Sequence, residues 1–275
     1  MTREINLYND KIGKIELVQL MGEDITIVNS ARVSFGVHKE NMDDKDIKLI
    51  NYLIKHRHTS TLEHNIATFR IKVPLFIRSQ HHRHRTWSYN EISRRYTDSN
   101  IEFYTPKEFR TQHQSNRQAS NDELIDPSLD MGYWTGTTKA AEMFRDHCAE
   151  SRQMFEAMIE AGVCREQARG VLPQNLYTQY FGTANLNNIF KFIALRLPSD
   201  AQWEIQSVAR AVLEITSNCF PVATEAWMNS NKIQKPKKTD DWFIEDWSQV
   251  LEPDIPTIEP EAKKSSFKDF FSLKK

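Results

Sequence analysis

Ala67-Thr-Phe-Arg-Ile-Lys-Val-Pro-Leu-Phe-Ile77 runs straight into Arg78-Ser-Gln-His-His-Arg-His-Arg-Thr-Trp-Ser-Tyr-Asn-Glu-Ile-Ser-Arg-Arg-Tyr96, and the rest of the chain is organised around this stretch. In its first half Ala67, Phe69, Ile71 and Val73 alternate with Thr68, Arg70 and Lys72, the period-two pattern of a half-buried strand. Pro74 closes the strand and suits the first position of a helix, where its missing N–H costs nothing. The spacing predicts a helix over about 74–84 with Phe76, Gln80 and Arg83 or His84 on one face, because helix-surface neighbours lie three and four apart. Arg83 and Arg85, two apart, then point in different directions and can serve two ligands. From Arg78 to Tyr96 the run holds Arg and His but no Lys, and its one acid is Glu91. Planar guanidinium forks suit bidentate recognition of phosphate or carboxylate. Basic segments also serve as solvated helix faces or nucleic-acid patches, so composition leaves both readings open.

Working outward, the composition narrows the class. The 275 residues suffice for one or two domains. Hydrophobic residues make up 39% and the mean hydropathy is −0.61, as expected of a soluble chain with a large polar surface or a disordered part. A net charge of −1 gives no global attraction to nucleic acid or membrane. Cys148, Cys164 and Cys219 are odd in number and lack metal-ligand spacing, which argues against a disulfide framework and for a reducing cytoplasm. The first residues lack an apolar signal core, and no run reaches bilayer length. A cytoplasmic protein without a membrane segment is expected.

In chain order, Ile5 to Met21 reads as a β-hairpin around Asn9-Asp-Lys-Ile-Gly13. Asp24 to Phe35 fits more than one element. Asp46 to His56 is helical by period, with Ile47, Ile50, Leu53 and Ile54 on one side. It ends at His58-Thr-Ser-Thr-Leu-Glu-His64, whose plainest use is helix capping; the two histidines, six apart, do not fit a zinc helix motif. Ile101 to Tyr104 reads as a short strand. Lys107 to Tyr133 is polar without a stable period and reads as a long loop or lid. Thr137 to Ala161 reads as a long amphipathic helix with Phe144, Met154, Phe155, Met158 and Ile159 on its apolar side, ended by Gly162. Glu166 and Arg169, at i and i+3, fit a surface ion pair.

Asn185 to Leu197 reads as a helix with Ile189, Phe192 and Ile193 on one stripe, and Arg196 falls on the same stripe. A core-facing arginine keeps its charge and needs an anion or several acceptors; an internal carboxylate and a ligand both meet that need. A further helix runs to Cys219, where Pro221 stops it. Strands cluster early and helices late, so the expected fold class is α+β, helices packed on an antiparallel sheet.

Arg83-His84-Arg85, then seven residues, then Ser93 resembles the signature of the flavin-dependent thymidylate synthases, and the match continues through Gln80, Asn90, Glu91, Arg95 and Tyr96. Ala31-Arg-Val-Ser34, Ala168-Arg169 with Val171-Leu-Pro173 and Tyr177-Thr178, and Asn185 to Leu197 are similar to further blocks of that family. The resemblance covers about residues 5–230, so residues 1–230 are expected to be the enzyme domain and 231–275 a flexible tail. It implies methylation of dUMP at C5 to dTMP, with FAD as cofactor, methylenetetrahydrofolate as carbon donor and NADPH as reductant, in a homotetramer with shared sites. Catalysis is carried over to Arg196, against the pyrimidine.

Cofactor contacts are carried over to His58 and Ser60 in the polar turn, to Arg83, His84, Arg85 and Glu91 in the central run, and to Asn185, Leu186, Asn187 and Lys191 in the third block. Nucleotide contacts are carried over to Gln80, His81, His82, Arg83, Glu91, Ile92, Ser93, Arg94 and Arg95, with Arg169 and Arg196. Three positions depart from the family: Asn187 where an arginine is frequent, Lys191, and Asp200 where histidine is frequent. Asn187 cannot supply the lost positive charge, whereas Lys191 can. No histidine or lysine sits at an activating spacing from Ser93, and a serine without a base is a weak nucleophile, so Ser93 is read as a phosphate ligand together with Arg95. The chain has no Gly-x-Gly-x-x-Gly segment, and NADPH is expected to share the flavin-facing pocket. The rival reading is a non-catalytic nucleotide- or RNA-binding module that uses the Arg/His/Tyr run.

The tail carries Pro236, Pro253, Pro256 and Pro260 among mixed charges, a linker composition. Near its end Phe267, Phe270 and Phe271 would form one apolar edge on a helical turn. Residues 264–271 look like the short peptides by which replication proteins attach to a sliding clamp, with Lys264 where glutamine is frequent; docking on the enzyme itself is the plainer alternative.

Overall fold

The computed structural model describes residues 4–130, 132 and 136–233. The phenylalanine-bearing end of the tail lies outside them. The first strands are β1 (Glu4–Asn6) and β2 (Lys14–Met21), followed by helices α1 (Asp24–Arg32) and α2 (Asp44–Lys55). Then come β3 (Ile66–Pro74), α3 (Leu75–His81), β4 (Ser88–Glu91), the hairpin β5 (Phe109–Gln112) and β6 (Ser120–Ile125), and the short pair β7 (Ser128–Leu129) and β8 (Thr138–Lys139). The C-terminal part is α4 (Ala140–Glu160), α5 (Arg165–Ala168), β9 (Tyr177–Asn185), α6 (Leu186–Arg196), α7 (Trp203–Cys219) and α8 (Pro221–Ser230).

The main sheet has the order β1-β2-β3-β9-β4 and every pairing is antiparallel. Its spine is β3, paired residue for residue with β9 from Ile66 opposite Asn185 to Pro74 opposite Tyr177. Ala67, Phe69, Ile71 and Val73 are buried while the residues between them are partly exposed, as the alternation predicts. Ile189, Phe192 and Ile193 of α6 and Val208 and Val212 of α7 are fully buried, and both helices pack on the sheet. Each such side chain contributes about 1.5–3 kcal/mol of burial. A second cluster of Ile101, Phe155, Ala168, Leu172 and Leu176 lies beneath α4 and α5. The fold is therefore α+β with an antiparallel sheet.

Several elements differ from the sequence reading. Pro74 is the last residue of β3 and the N-cap of α3. That helix ends at His81 rather than near 84, because β9 offers an edge with which Ser88–Glu91 pairs, and the run must turn to reach it. Asp24–Phe35 resolves into α1 and a 3-10 turn at Val33–Phe35. In α2 the buried apolar residues are Ile50, Leu53 and Ile54, while Ile47 is 41% exposed. Residues 107–133 hold a β-hairpin, closed by pairing between its own strands, which a search for core-facing periodicity does not register. In α4, Phe155 is buried but Met154 is 55% exposed. Residues 101–104 form only an isolated bridge, Phe103 to Leu176. Pro221 ends one helix and occupies the first turn of the next; the N–H groups of Val222 and Ala223 beside it donate to the Asp24 carboxylate at 2.9 and 3.0 Å. Gly22 makes the turn between β2 and α1 at φ +85°, where a Cβ would stand 1.9 Å from Asn65 Oδ1.

Candidate functional site

The residues after α3 and the residues before β9 meet at a cleft of about 540 Å³. Arg78, Arg94 and Arg169 supply positive charge, Ser93 a hydroxyl and Glu91 the acceptor, over apolar walls from Leu75, Leu172 and Leu176. Ile92 also lines it. The Glu91 carboxylate accepts from Thr178 Oγ1 at 2.6 Å and forms an ion pair with Arg78, whose Nε stands 3.2 Å away without a hydrogen bond. Ser93 opens a turn in which its carbonyl accepts from the N–H groups of Tyr96 and Thr97 and its Oγ accepts from Arg95 N at 3.3 Å. Arg95 stands 3.2 Å from Glu166, both side chains more than half exposed. A pair of that kind is worth about 0–1 kcal/mol and yields readily to a phosphate. Arg169 does not pair with Glu166 as the spacing suggested; its Nε donates to the Glu166 carbonyl at 3.3 Å. Arg94 folds back onto the carbonyls of Ser99 and Asn100.

The other end of α3 builds a second constellation. Arg196 ends α6 on the same stripe as the buried Ile189, Phe192 and Ile193. Its Nε donates to His84 Nε2 at 3.2 Å and its Nη2 to the Gln80 carbonyl at 3.3 Å. Both acceptors are neutral, and among the described residues no carboxylate pairs with it. Burial, and then the Arg196 charge, push the His84 imidazole down to about 4, so at neutral pH it accepts through Nε2. Burial and the nearby Arg83 lower the affinity of Arg196 for its own proton, yet a guanidinium stays charged.

His81 lies in the core rather than in the cleft. It is fully buried against Trp87 and Phe192, with Nδ1 2.8 Å from the Tyr180 hydroxyl. His82 stacks on Tyr89 with ring centroids 4.1 Å apart, and its Nε2 is buried without a partner. Burial drives both imidazoles to the neutral form.

A third group lies where the turn after α2 meets the start of α6. Asn187 is buried, and its amide donates to Glu63 Oε1 at 3.0 Å, which joins the two segments. Asn185 caps α6 by accepting from Asn188 N at 3.0 Å. Leu186 is a core side chain whose N–H donates to the Asn65 carbonyl. His58, Ser60, Arg83, Arg85 and Lys191 are exposed, and none of the cations among them forms an ion pair with a described residue.

Arg78, Gln174 and Leu75 lie outside the sequence-predicted site residues, yet all three line the cleft. Arg78 was legible as the first guanidinium of the central run; Leu75 and Gln174 carry no signal outside the tertiary arrangement.

The model of the thymidylate synthase complementing proteins matches residues 16–222. A flavin-dependent thymidylate synthase from Thermus thermophilus is 42% identical over 215 residues, 78% of this chain and 75% of the relative. One from Thermotoga neapolitana is 39% identical over 216 residues, 78% of this chain and 91% of the relative. Among solved structures, a UMP/dUMP methylase from Streptomyces cacaoi bound with 5-Br dUMP superposes with a TM-score of 0.66 at 29% identity, covering 82% of this chain and 97% of that one. With the family model spanning β3, β9 and β4, the cleft and the Arg196 constellation, the chain belongs to the flavin-dependent thymidylate synthases.

Proposed function

We propose that dUMP occupies the cleft and is methylated at C5 to dTMP, with methylenetetrahydrofolate as carbon donor and NADPH-reduced FAD as hydride source. The observation that carries this reading is Arg196, a half-buried guanidinium held by two neutral acceptors. Uracil C5 is a poor nucleophile until the ring is polarised. A cation preoriented in a low-dielectric site stabilises negative charge developing at the N3/O4 side without reorganising. Ser93, Arg95 and Arg169 hold the nucleotide phosphate, and Arg78 and Glu91 line the same cleft. Ser93 binds rather than attacks, since among the described residues no base lies within hydrogen-bonding distance of its hydroxyl.

The donors at the third group fit FAD. Its pyrophosphate needs charge-assisted hydrogen bonds; Lys191, His58 and Ser60 present donors there, and the exposed Arg83 and Arg85, on the run beside Arg196, add guanidinium groups that pair with no described carboxylate. Lys191 stands in for the charge that Asn187 lacks, because Asn187 is committed to Glu63. When bound, the flavin supplies the hydride that completes the methyl group. The chain's own part is to hold the nucleotide, polarise the ring and exclude water.

Anaerobic turnover with dUMP, NADPH and methylenetetrahydrofolate, assayed for dTMP, tests the reading. A purified protein with flavin absorption and dTMP formation supports it. A colourless protein that takes up no FAD and binds RNA supports the binding-module alternative. We further assign the protein to a homotetramer in a reducing cytoplasm, with the tail peptide at 264–271 docking on a sliding clamp. A fusion of residues 258–275 should then bind the host or viral clamp, and Phe270→Ala with Phe271→Ala should abolish that binding.

A further inference from the structure

Arg110 lies on β5, outside every block of the family signature, yet it is anchored in the core of the molecule. Its Nη2 donates to both oxygens of Glu204, at 2.7 and 2.9 Å, and its guanidinium lies over the Trp203 indole, 5.4 Å from the ring centroid. Glu204 sits in the first turn of α7 with a side chain 5% exposed, against 25% for Arg110. The same carboxylate accepts from the Tyr104 hydroxyl at 3.1 Å and from Gln202 Nε2 at 2.9 Å. Gln202 Oε1 in turn accepts from Gln80 Nε2 at 2.6 Å, and the Gln80 carbonyl accepts from Arg196. Side-chain hydrogen bonds thus join the β5–β6 hairpin to Gln80, the residue whose main-chain carbonyl holds Arg196.

The polarity of this relay is set at its buried end. An ionised carboxylate only accepts hydrogen bonds, so Gln202 must turn its NH2 toward Glu204 and its carbonyl toward Gln80. Arg110 pins both oxygens of Glu204 in place; without it the carboxylate is free to turn away from Gln202. A displaced Glu204 no longer orients the Gln202 amide, and the hydrogen bond from Gln80 to Gln202 loses its fixed acceptor. Gln80 loses its anchor at the end of α3, and with it Arg196 loses a fixed acceptor.

We infer that Arg110 and Glu204 are positioning residues for Arg196, acting through Gln202 and Gln80, so that the hairpin is part of the catalytic architecture. This rests on the role assigned to Arg196 above. Displacements of about 1 Å remote from the chemistry can cost on the order of a hundredfold in rate.

The test is a double-mutant cycle of Arg110→Met and Arg196→Lys on the full chain with FAD, with Arg110→Lys as the conservative control and melting temperature recorded for each. Arg110→Met, which keeps an apolar stem over Trp203, should lower kcat by about tenfold or more while the KM for dUMP moves by less than about threefold. Arg110→Lys should recover most of the loss, and adding Arg110→Met to Arg196→Lys should cost almost nothing further. Losses that multiply in the double variant, or an Arg110→Met that melts earlier but turns over normally, overturn the relay and leave Arg110 as a hairpin anchor. A wild-type rate for Arg196→Lys removes Arg196 from the mechanism, which is a different failure from multiplying losses.

Discussion

Arg196 shows how one side chain can be tuned by groups that carry no charge. Its acceptors are a backbone carbonyl and an imidazole held neutral by burial, so no described carboxylate neutralises the guanidinium. Lysine at this position preserves the charge and loses the fork. Arg196→Lys is therefore expected to retain FAD, read by absorption, while dTMP formation falls by about two orders of magnitude or more. Ser93→Ala should weaken dUMP binding and leave measurable turnover; abolished turnover with dUMP affinity intact would make Ser93 the nucleophile. The buried histidines also predict a pH dependence. His81, His82 and His84 all have folded-state affinities for protons below the ordinary value of 6.5. The unfolded chain therefore takes up these protons first, and stability present above about pH 6.5 is lost as pH falls toward the value of about 4 reached by His84. The melting temperature should drop between pH 7 and pH 5, before most carboxylates titrate, and His81→Phe should flatten that slope.

At the scale of elements, short polar contacts decide where helices begin. The Asp24 carboxylate at the start of α1 accepts from the first free N–H groups of α8, Val222 and Ala223, beside Pro221. Asp24→Ala should cost about 1–2 kcal/mol, measured by chemical denaturation; a loss within a few tenths would mean that the Asp24 cap is dispensable. Gly22→Ala should cost more than about 1 kcal/mol, since the change combines a left-handed backbone with a clash on the buried Asn65. The hairpin of β5 and β6 belongs to this scale as well. Its apolar residues, Phe109, Leu124 and Ile125, gather at one end, so no apolar stripe announces it, and it is held by Arg110 and by an edge contact of Phe109 with Phe144.

For the whole molecule, the proposed tetramer gives the exposed apolar residues a use. Val33 and Phe35, 72% and 82% exposed on the turn after α1, suit a subunit interface better than water. Sedimentation should report a mass about four times the 32.2 kDa of one chain; Phe35→Asp should shift it toward smaller species, whereas a monomeric wild type would remove the tetramer.

By itself the sequence determined the spine of the fold, because β3 alternates with period two and Arg196 lies on the stripe of α6, and both patterns follow from local geometry alone. It also determined the family, through the residue types and fixed gap of Arg83-His84-Arg85 and Ser93. Only the tertiary structure decided where α3 stops, since that depends on the free edge of β9 with which Ser88–Glu91 pairs. It likewise decided that His81 is buried in the core, and that Glu204 joins Arg110 to Gln202 and, through it, Gln80. The reason is physical: periodicity encodes which face of an element is apolar, whereas the hydrogen-bond partner of a buried polar group can lie 94 residues away, as Arg110 does from Glu204, and is set only when the elements pack.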